Sequence, residues 1–202
     1  MKNLLVVMLL MVFATTVNAQ KIKQESGNQD FLKGQSEINI VYVYDGMKIG
    51  RKGKPESEYT AEKVADHNKK EPGKGDKWLE NWKGARTQRY EPKFEELIND
   101  VLSKKNVKFS QNSKAKYTLI VKTTMTEPGF KTPVASQPAL ADFEFIFVET
   151  ENLSKELSKM SLKSVMGAQA MGFDFDAGSR IQESYAKAGK MLGKHLAGTV
   201  FK

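Results

Sequence analysis

Cysteine is absent from all 202 residues. That excludes disulfides, thiol nucleophiles, thiolate zinc sites and cysteine-ligated iron–sulfur clusters. It also leaves nothing to carry the lipid anchor of a bacterial lipoprotein. Histidine is scarce, with only His67 and His195, and a lone histidine beside an apolar stripe is more often structural than catalytic. No HExxH, no G-x-S-x-G elbow and no Walker loop occurs, and Gly73-Lys74-Gly75 is too short to cradle a phosphate. Long apolar runs are missing after the first nineteen residues, so no membrane span is expected in the mature chain. No repeat of fixed period and no low-complexity stretch is visible.

The first nineteen residues have the layout of an export signal. Lys2 gives a positive start, Leu4 to Phe13 form an apolar run, and Val17-Asn18-Ala19 offers small residues for a signal peptidase. The run is too short to span a bilayer as a helix. Residues 1–19 are therefore read as a signal peptide, with a mature chain starting near Gln20 and acting in the periplasm or outside the cell.

Hydrophobic residues make up 40% of the chain, enough for a core and against wholesale disorder. The formal charge is +8, with basic clusters at Lys48 to Lys54, Lys69 to Lys77 and Lys104 to Lys116. A basic surface aids solubility, and it also suits an anionic envelope polymer or an acidic patch on an envelope protein. Nucleic acid fits poorly with export, and no nucleic-acid motif supports it.

Gln20 to Ser36 is polar and reads as a flexible leader, with a single α+β domain expected over residues 37–202. Ile38 to Tyr44 is apolar on both parities, as expected of an internal strand covered on both faces, and Asp45-Gly46 ends it. Residues 47–77 are charged and punctuated by glycine and proline, a pattern that predicts a mobile excursion with at most a short helix around Ser57 to Asn68. Pro92 suits a first helical turn, after which Phe94, Leu97, Ile98, Val101 and Leu102 form one apolar stripe.

A short strand at Val107 to Ser110 follows. Tyr117, Leu119, Val121 and Met125 then alternate with polar residues, and Phe143, Phe145 and Phe147 share one face of a strand over Ala139 to Glu149. Lys155 to Met166 fits a helix or a strand; the strand is favoured because it completes a meander. Ser179 to Gln182 is a capping-box pattern ahead of a helix carrying Ile181, Tyr185, Ala188, Leu192 and His195 or Leu196. Ala188, Gly189 and Gly193 are small enough to let that helix lie close to a sheet. The expected fold is thus α+β: a single sheet of about four to five strands in β-α-β-β-β-α order, with two main helices packed on one face.

The stretch Phe94 through Val121 has an amphipathic helix, a short Val107-Lys108-Phe109 strand, then Lys114-Ala115-Lys116-Tyr117 leading into a long strand. It resembles the α/β domain of the periplasmic penicillin-binding-protein activators and the curli-secretion accessory proteins. The segment Arg180 through Gly189 looks like one found in uncharacterised exported proteins of the Bacteroidetes type. The resemblance implies an envelope role and carries over no functional residue.

Trp78 and Trp82, one helical turn apart, are the main binding candidates. Tryptophans so spaced commonly cover core; exposed beside Lys77 and Lys83 they would form a stacking platform for a sugar or an anchor for a protein. Arg51, Lys52 and Lys54 are the candidate contacts for an anionic partner. Asp174 and Asp176 invite a calcium reading, but the twelfth position counted from Asp174 is Tyr185, not a glutamate. No metal, cofactor or catalytic residue is assigned. The leading expectation is a non-catalytic envelope protein that binds a protein partner or an anionic polymer. Two alternatives stay open: a hydrolase of an envelope polymer using carboxylates such as Glu144, Asp174 or Asp176, and a small-ligand carrier with a pocket between sheet and helices.

Overall fold

The computed structural model describes residues 20–112, 114–167 and 176–202. The signal peptide expected at residues 1–19 lies outside them, as do Phe173, Asp174 and Phe175. In chain order the elements are β1 (Lys23–Gly27), β2 (Glu37–Val43), β3 (Lys48–Ile49), β4 (Lys54–Pro55), α1 (Glu56–Lys70) and α2 (Lys74–Ala85). Then come α3 (Glu91–Leu102), β5 (Lys108–Ser110), β6 (Tyr117–Glu127), β7 (Phe130–Lys131) and β8 (Ser136–Gln137). β9 (Ala139–Glu149), β10 (Asn152–Gly167) and α4 (Ala177–Thr199) complete the series.

Ten strands among the described residues, eight of them in one mixed sheet, replace the four to five expected. The sheet runs β1-β10-β9-β6-β2-β5. β2 is parallel to both β5 and β6, whereas β6, β9, β10 and β1 are successively antiparallel. β3 continues past the end of β2 along the same edge of β6: Val43 sits opposite Lys122 and Lys48 opposite Met125. The additional strands are two residues long, too short to display a period, or polar in sequence like β1.

Two other expectations are corrected. The supposed flexible leader contains β1, paired with β10, and a turn that drives Leu32 wholly into the core and sets Phe31 4.9 Å from Tyr117. The supposed mobile excursion contains the β3–β4 hairpin, α1 and the start of α2.

The core lies between one face of the sheet and the pair α3–α4. Phe143, Phe145 and Phe147 of β9 join Leu119 and Val121 of β6 and Ile38 and Ile40 of β2, all essentially inaccessible. Phe94, Ile98 and Leu102 of α3 cover them together with Ile181, Tyr185, Leu192 and Leu196 of α4. Leu196 rather than His195 completes the stripe; burial lowers the pKa of half-buried His195. Among the described residues this interface is filled by side chains.

β2 has β5 and β6 as neighbours, but its second face is not covered: Val41 is 37% exposed. That face is a mixed ladder in which Val41 is opposite Ile120 and Ile120 is opposite Ile146. Glu144 bridges Lys159 at 3.0 Å and Lys122 at 4.0 Å beside it.

α4 begins before its capping-box pattern. Asp176 is the N-cap and accepts the N–H groups of Gly178 and Ser179 at 3.1 and 3.2 Å. Gly189 and Gly193, expected to seat this helix on the sheet, instead seat it on α3. A Cβ on Gly189 would lie 2.3 Å from the Phe94 carbonyl oxygen, and one on Gly193 would lie 3.0 Å from Val101 Cβ.

Candidate functional site

α1 and α2 form a hairpin standing beside the sheet. α1 has no apolar stripe, and Thr60 is its one buried residue. Its cohesion comes from α2. Gly75 brings the two backbones together: a Cβ there would be 2.3 Å from Val64 O, and its N–H is donated to Asn68 Oδ1 at 2.7 Å.

Further along the seam four rings form a column. His67 stacks on Trp78 at 5.7 Å, Trp78 on Trp82 at 5.5 Å, and Tyr59 lies 5.5 Å from Trp82. The Trp82 indole N–H is donated to Glu56 Oε1 at 2.7 Å; the same oxygen accepts from Arg86, whose guanidinium lies 4.2 Å above the Tyr44 ring. Both indoles are half-buried; Trp78 stacks between His67 and Trp82, and Trp82 stacks on Trp78 with Tyr59 tilted against it. Lys77 and Lys83 are exposed, with no ion pair among the described residues.

The basic candidates gather on the other side of Tyr59. The β3–β4 turn is held by two glycines with positive φ, Gly50 and Gly53, and by the Gly50 N–H donated to Thr126 O at 2.9 Å. At its apex Arg51 and Lys52 are exposed and have no acidic partner among the described residues. Lys54 is different: its Nζ is 2.6 Å from Glu62 and 3.6 Å from Glu58, so its charge is already answered. Lys63 reaches over Tyr59, with Nζ 5.7 Å from the ring centre. These side chains rim a cleft of ≈530 Å³ that Glu127, Pro128, Gly129 and Gln137 also line.

The structure thus brings Arg51, Lys52 and Lys54 to one opening and joins it through Tyr59 to Trp82. Trp78 and Trp82 border a different cavity of ≈270 Å³, with Asn81, Gln88 and Arg89. Sequence reasoning missed Lys63 and the linking role of Tyr59. The signal available was their i, i+4 spacing on α1, which only the docking of α2 turns into a surface.

Of the carboxylates proposed for hydrolysis, the two that are described, Glu144 and Asp176, do not converge. Glu144 lies on the uncovered sheet face, while Asp176 caps α4 on the helix side and pairs with Arg89. Burial alone would raise the Asp176 pKa; the Gly178 N–H and Arg89 outweigh it and hold the carboxyl below its usual range. Asp174 lies outside the described residues. Among the described residues no three His, Asp or Glu side chains gather as metal ligands, and no helix is long and apolar enough to cross a membrane.

A second acidic pair was not foreseen. Glu91 and Glu95 lie one turn apart on α3 and accept from the Tyr44 and Tyr42 hydroxyls at 3.1 and 3.3 Å. Burial raises the pKa of both, opposed by those tyrosines. A raised folded-state pKa means stability that is complete below the ordinary carboxylate value and declines as pH climbs through the raised one. The double variant E91Q/E95Q keeps both acceptors and is expected to raise the thermal midpoint by about 1–3 °C at neutral pH, and not at pH near 4. Thermal denaturation at the two pH values checks this; equal shifts at both would rule out the electrostatic cause.

No protein-family model matches the chain, and no curated protein matches it in sequence. Among solved structures it is similar to the PelC dodecamer from Paraburkholderia phytofirmans, at 11% identity and a TM-score of 0.37, over 85% of this chain and 97% of that one. A variant PelC dodecamer from the same organism gives 13% identity and a TM-score of 0.34, over 86% and 97%. These likenesses are to PelC, not to the penicillin-binding-protein activator or curli-accessory domains that the sequence resembles. They are too distant to bring a site or an assembly to this chain.

Proposed function

We propose that the chain is exported and serves in the cell envelope as a non-catalytic protein that binds an anionic polymer in the cleft between the β3–β4 turn and α1. The observation that carries this reading is the pair Arg51 and Lys52, exposed on a glycine-held turn with no acidic partner among the described residues. The turn fixes the backbone beneath these cations, so only their side chains are ordered on binding, and unanswered charge attracts a polyanion over a screening length. Lys63 and Tyr59 supply a third cation and an apolar wall. Glu127 opposes an anion at the far side, so the polymer sits toward the basic rim. Export is supported by Lys2, the Leu4 to Phe13 run and Val17-Asn18-Ala19.

Binding of the protein to alginate and to neutral dextran, followed across a salt series, tests the reading. Alginate is expected to bind and to lose at least about tenfold in affinity as salt rises past physiological strength, because exposed charges are screened. Dextran is expected not to bind. The variant R51E/K52E is expected to abolish alginate binding with its thermal midpoint unchanged, since both side chains are exposed. Salt-indifferent binding, or binding kept by that variant, would reject the cleft as the site.

A further inference from the structure

The β7–β8 hairpin is an apolar prong on the rim of the same cleft. Its turn is tightly closed: Thr132 N–H and Oγ1–H are both donated to Ala135 O, at 2.8 and 2.9 Å, and Ala135 N–H is donated to Thr132 Oγ1 at 3.0 Å. That closure puts Pro133 and Val134 at the apex, and Val134 is 94% exposed. Phe130, at the base of the hairpin, is 46% exposed. The root is fixed as well. Buried Arg180 of α4 donates to the carbonyls of Pro128 and Gly129 at 3.1 and 3.2 Å, and Gly129 has a positive φ with Gln137 O in the place of a Cβ.

Val134 and Phe130 lie outside the core, exposed on one hydrogen-bonded hairpin. Gly129 and Gln137 at its root also line the cleft rimmed by Arg51, Lys52 and Lys63. An apolar apex beside unanswered cations complements a surface that is anionic outside and apolar beneath. A hydrated polymer supplies the charge and has no use for the apex. A bilayer containing anionic lipid supplies both layers.

We infer that the β7–β8 prong docks the protein on an anionic lipid surface, Val134 and Phe130 entering among the headgroups while Arg51 and Lys52 meet the lipid phosphates. The contact is peripheral. It goes beyond polymer binding and shares the cations with it, so lipid and polymer compete for Arg51 and Lys52.

Co-sedimentation of the protein lacking residues 1–19 with vesicles tests this, using phosphatidylcholine alone or mixed with phosphatidylglycerol. The protein is expected to sediment with the mixed vesicles only. The charge-neutral variant F130S/V134S is expected to reduce vesicle binding about tenfold, the scale of losing one buried aliphatic and part of an aromatic side chain, and to leave alginate affinity unchanged. R51E/K52E is expected to reduce both. Failure to bind the mixed vesicles, or undiminished binding by F130S/V134S, overturns the inference. Loss of the polymer reading is separate: it shows as absent alginate binding with vesicle binding intact.

Discussion

Gly189→Ala is expected to cost about 2–3 kcal/mol of folding free energy, the upper part of the usual range for overpacking a close contact. An added Cβ would lie 2.3 Å from the Phe94 carbonyl oxygen and 3.1–3.2 Å from the Phe94 C and Cα atoms. All three belong to the backbone of α3, so no rotamer change relieves the clash, and the helices must part. Parting them uncovers Phe94 and Ile98 on one side and Leu192 on the other, each wholly buried. Alanine's better helix propensity returns about 1 kcal/mol and does not offset the loss. Gly198→Ala is the control: it lies on the same helix with nothing within 4 Å. It is expected to be neutral or stabilising by up to about 1 kcal/mol. Urea denaturation of the two variants decides the matter; equal midpoints would mean that α3 and α4 do not approach as closely as described.

Phe145→Ala is expected to cost about 3–5 kcal/mol. Phe145 is inaccessible on a strand with neighbours on both sides, and its ring lies 6.0 Å from both Phe94 and Phe143. Removing it leaves a cavity walled by rings that strand and helix hold in place. Against a total stability of about 5–15 kcal/mol, either this change or Gly189→Ala can consume most of the margin. Both act on Phe94, so the double variant is expected to lose less than the sum of the two. Strict additivity in denaturation midpoints would show that the two sites do not share that residue.

The elements legible in the sequence are those whose own side chains face a core. Phe94 to Leu102 shows the helical stripe, and Phe143 to Phe147 shows the alternation, because burial on one face imposes both periods. β1 could not be seen this way: all five of its residues are exposed, and what holds it is backbone pairing to β10. α1 was only half legible for a related reason. It leans on the rings of α2, and no apolar stripe of its own announces it. Gly189 and Gly193 were correctly read as a close-approach surface, but a small-residue stripe does not say whether helix or sheet lies against it.

The site divides in the same way. Arg51, Lys52 and Lys54 look equivalent in sequence, yet Lys54 is neutralised by Glu58 and Glu62 once α1 folds back beside it. Trp78 and Trp82 were visible as a pair; their stacking with His67 and Tyr59 needed the second helix. The prong is not legible in the sequence: Pro133 and Pro138 mark an irregular connection, and nothing local distinguishes an ordered apex from a loose one.

The pairing of β1 with β10 also bears on the order of assembly. Ser161 of β10 bonds to Glu25 of β1 across 136 residues of chain, whereas β6, β9 and β10 meet neighbours close by in sequence. Closing so long a loop is slow and entropically costly, while adjacent hairpins form early. β1 is therefore expected to join the sheet after the β6–β9–β10 meander has formed.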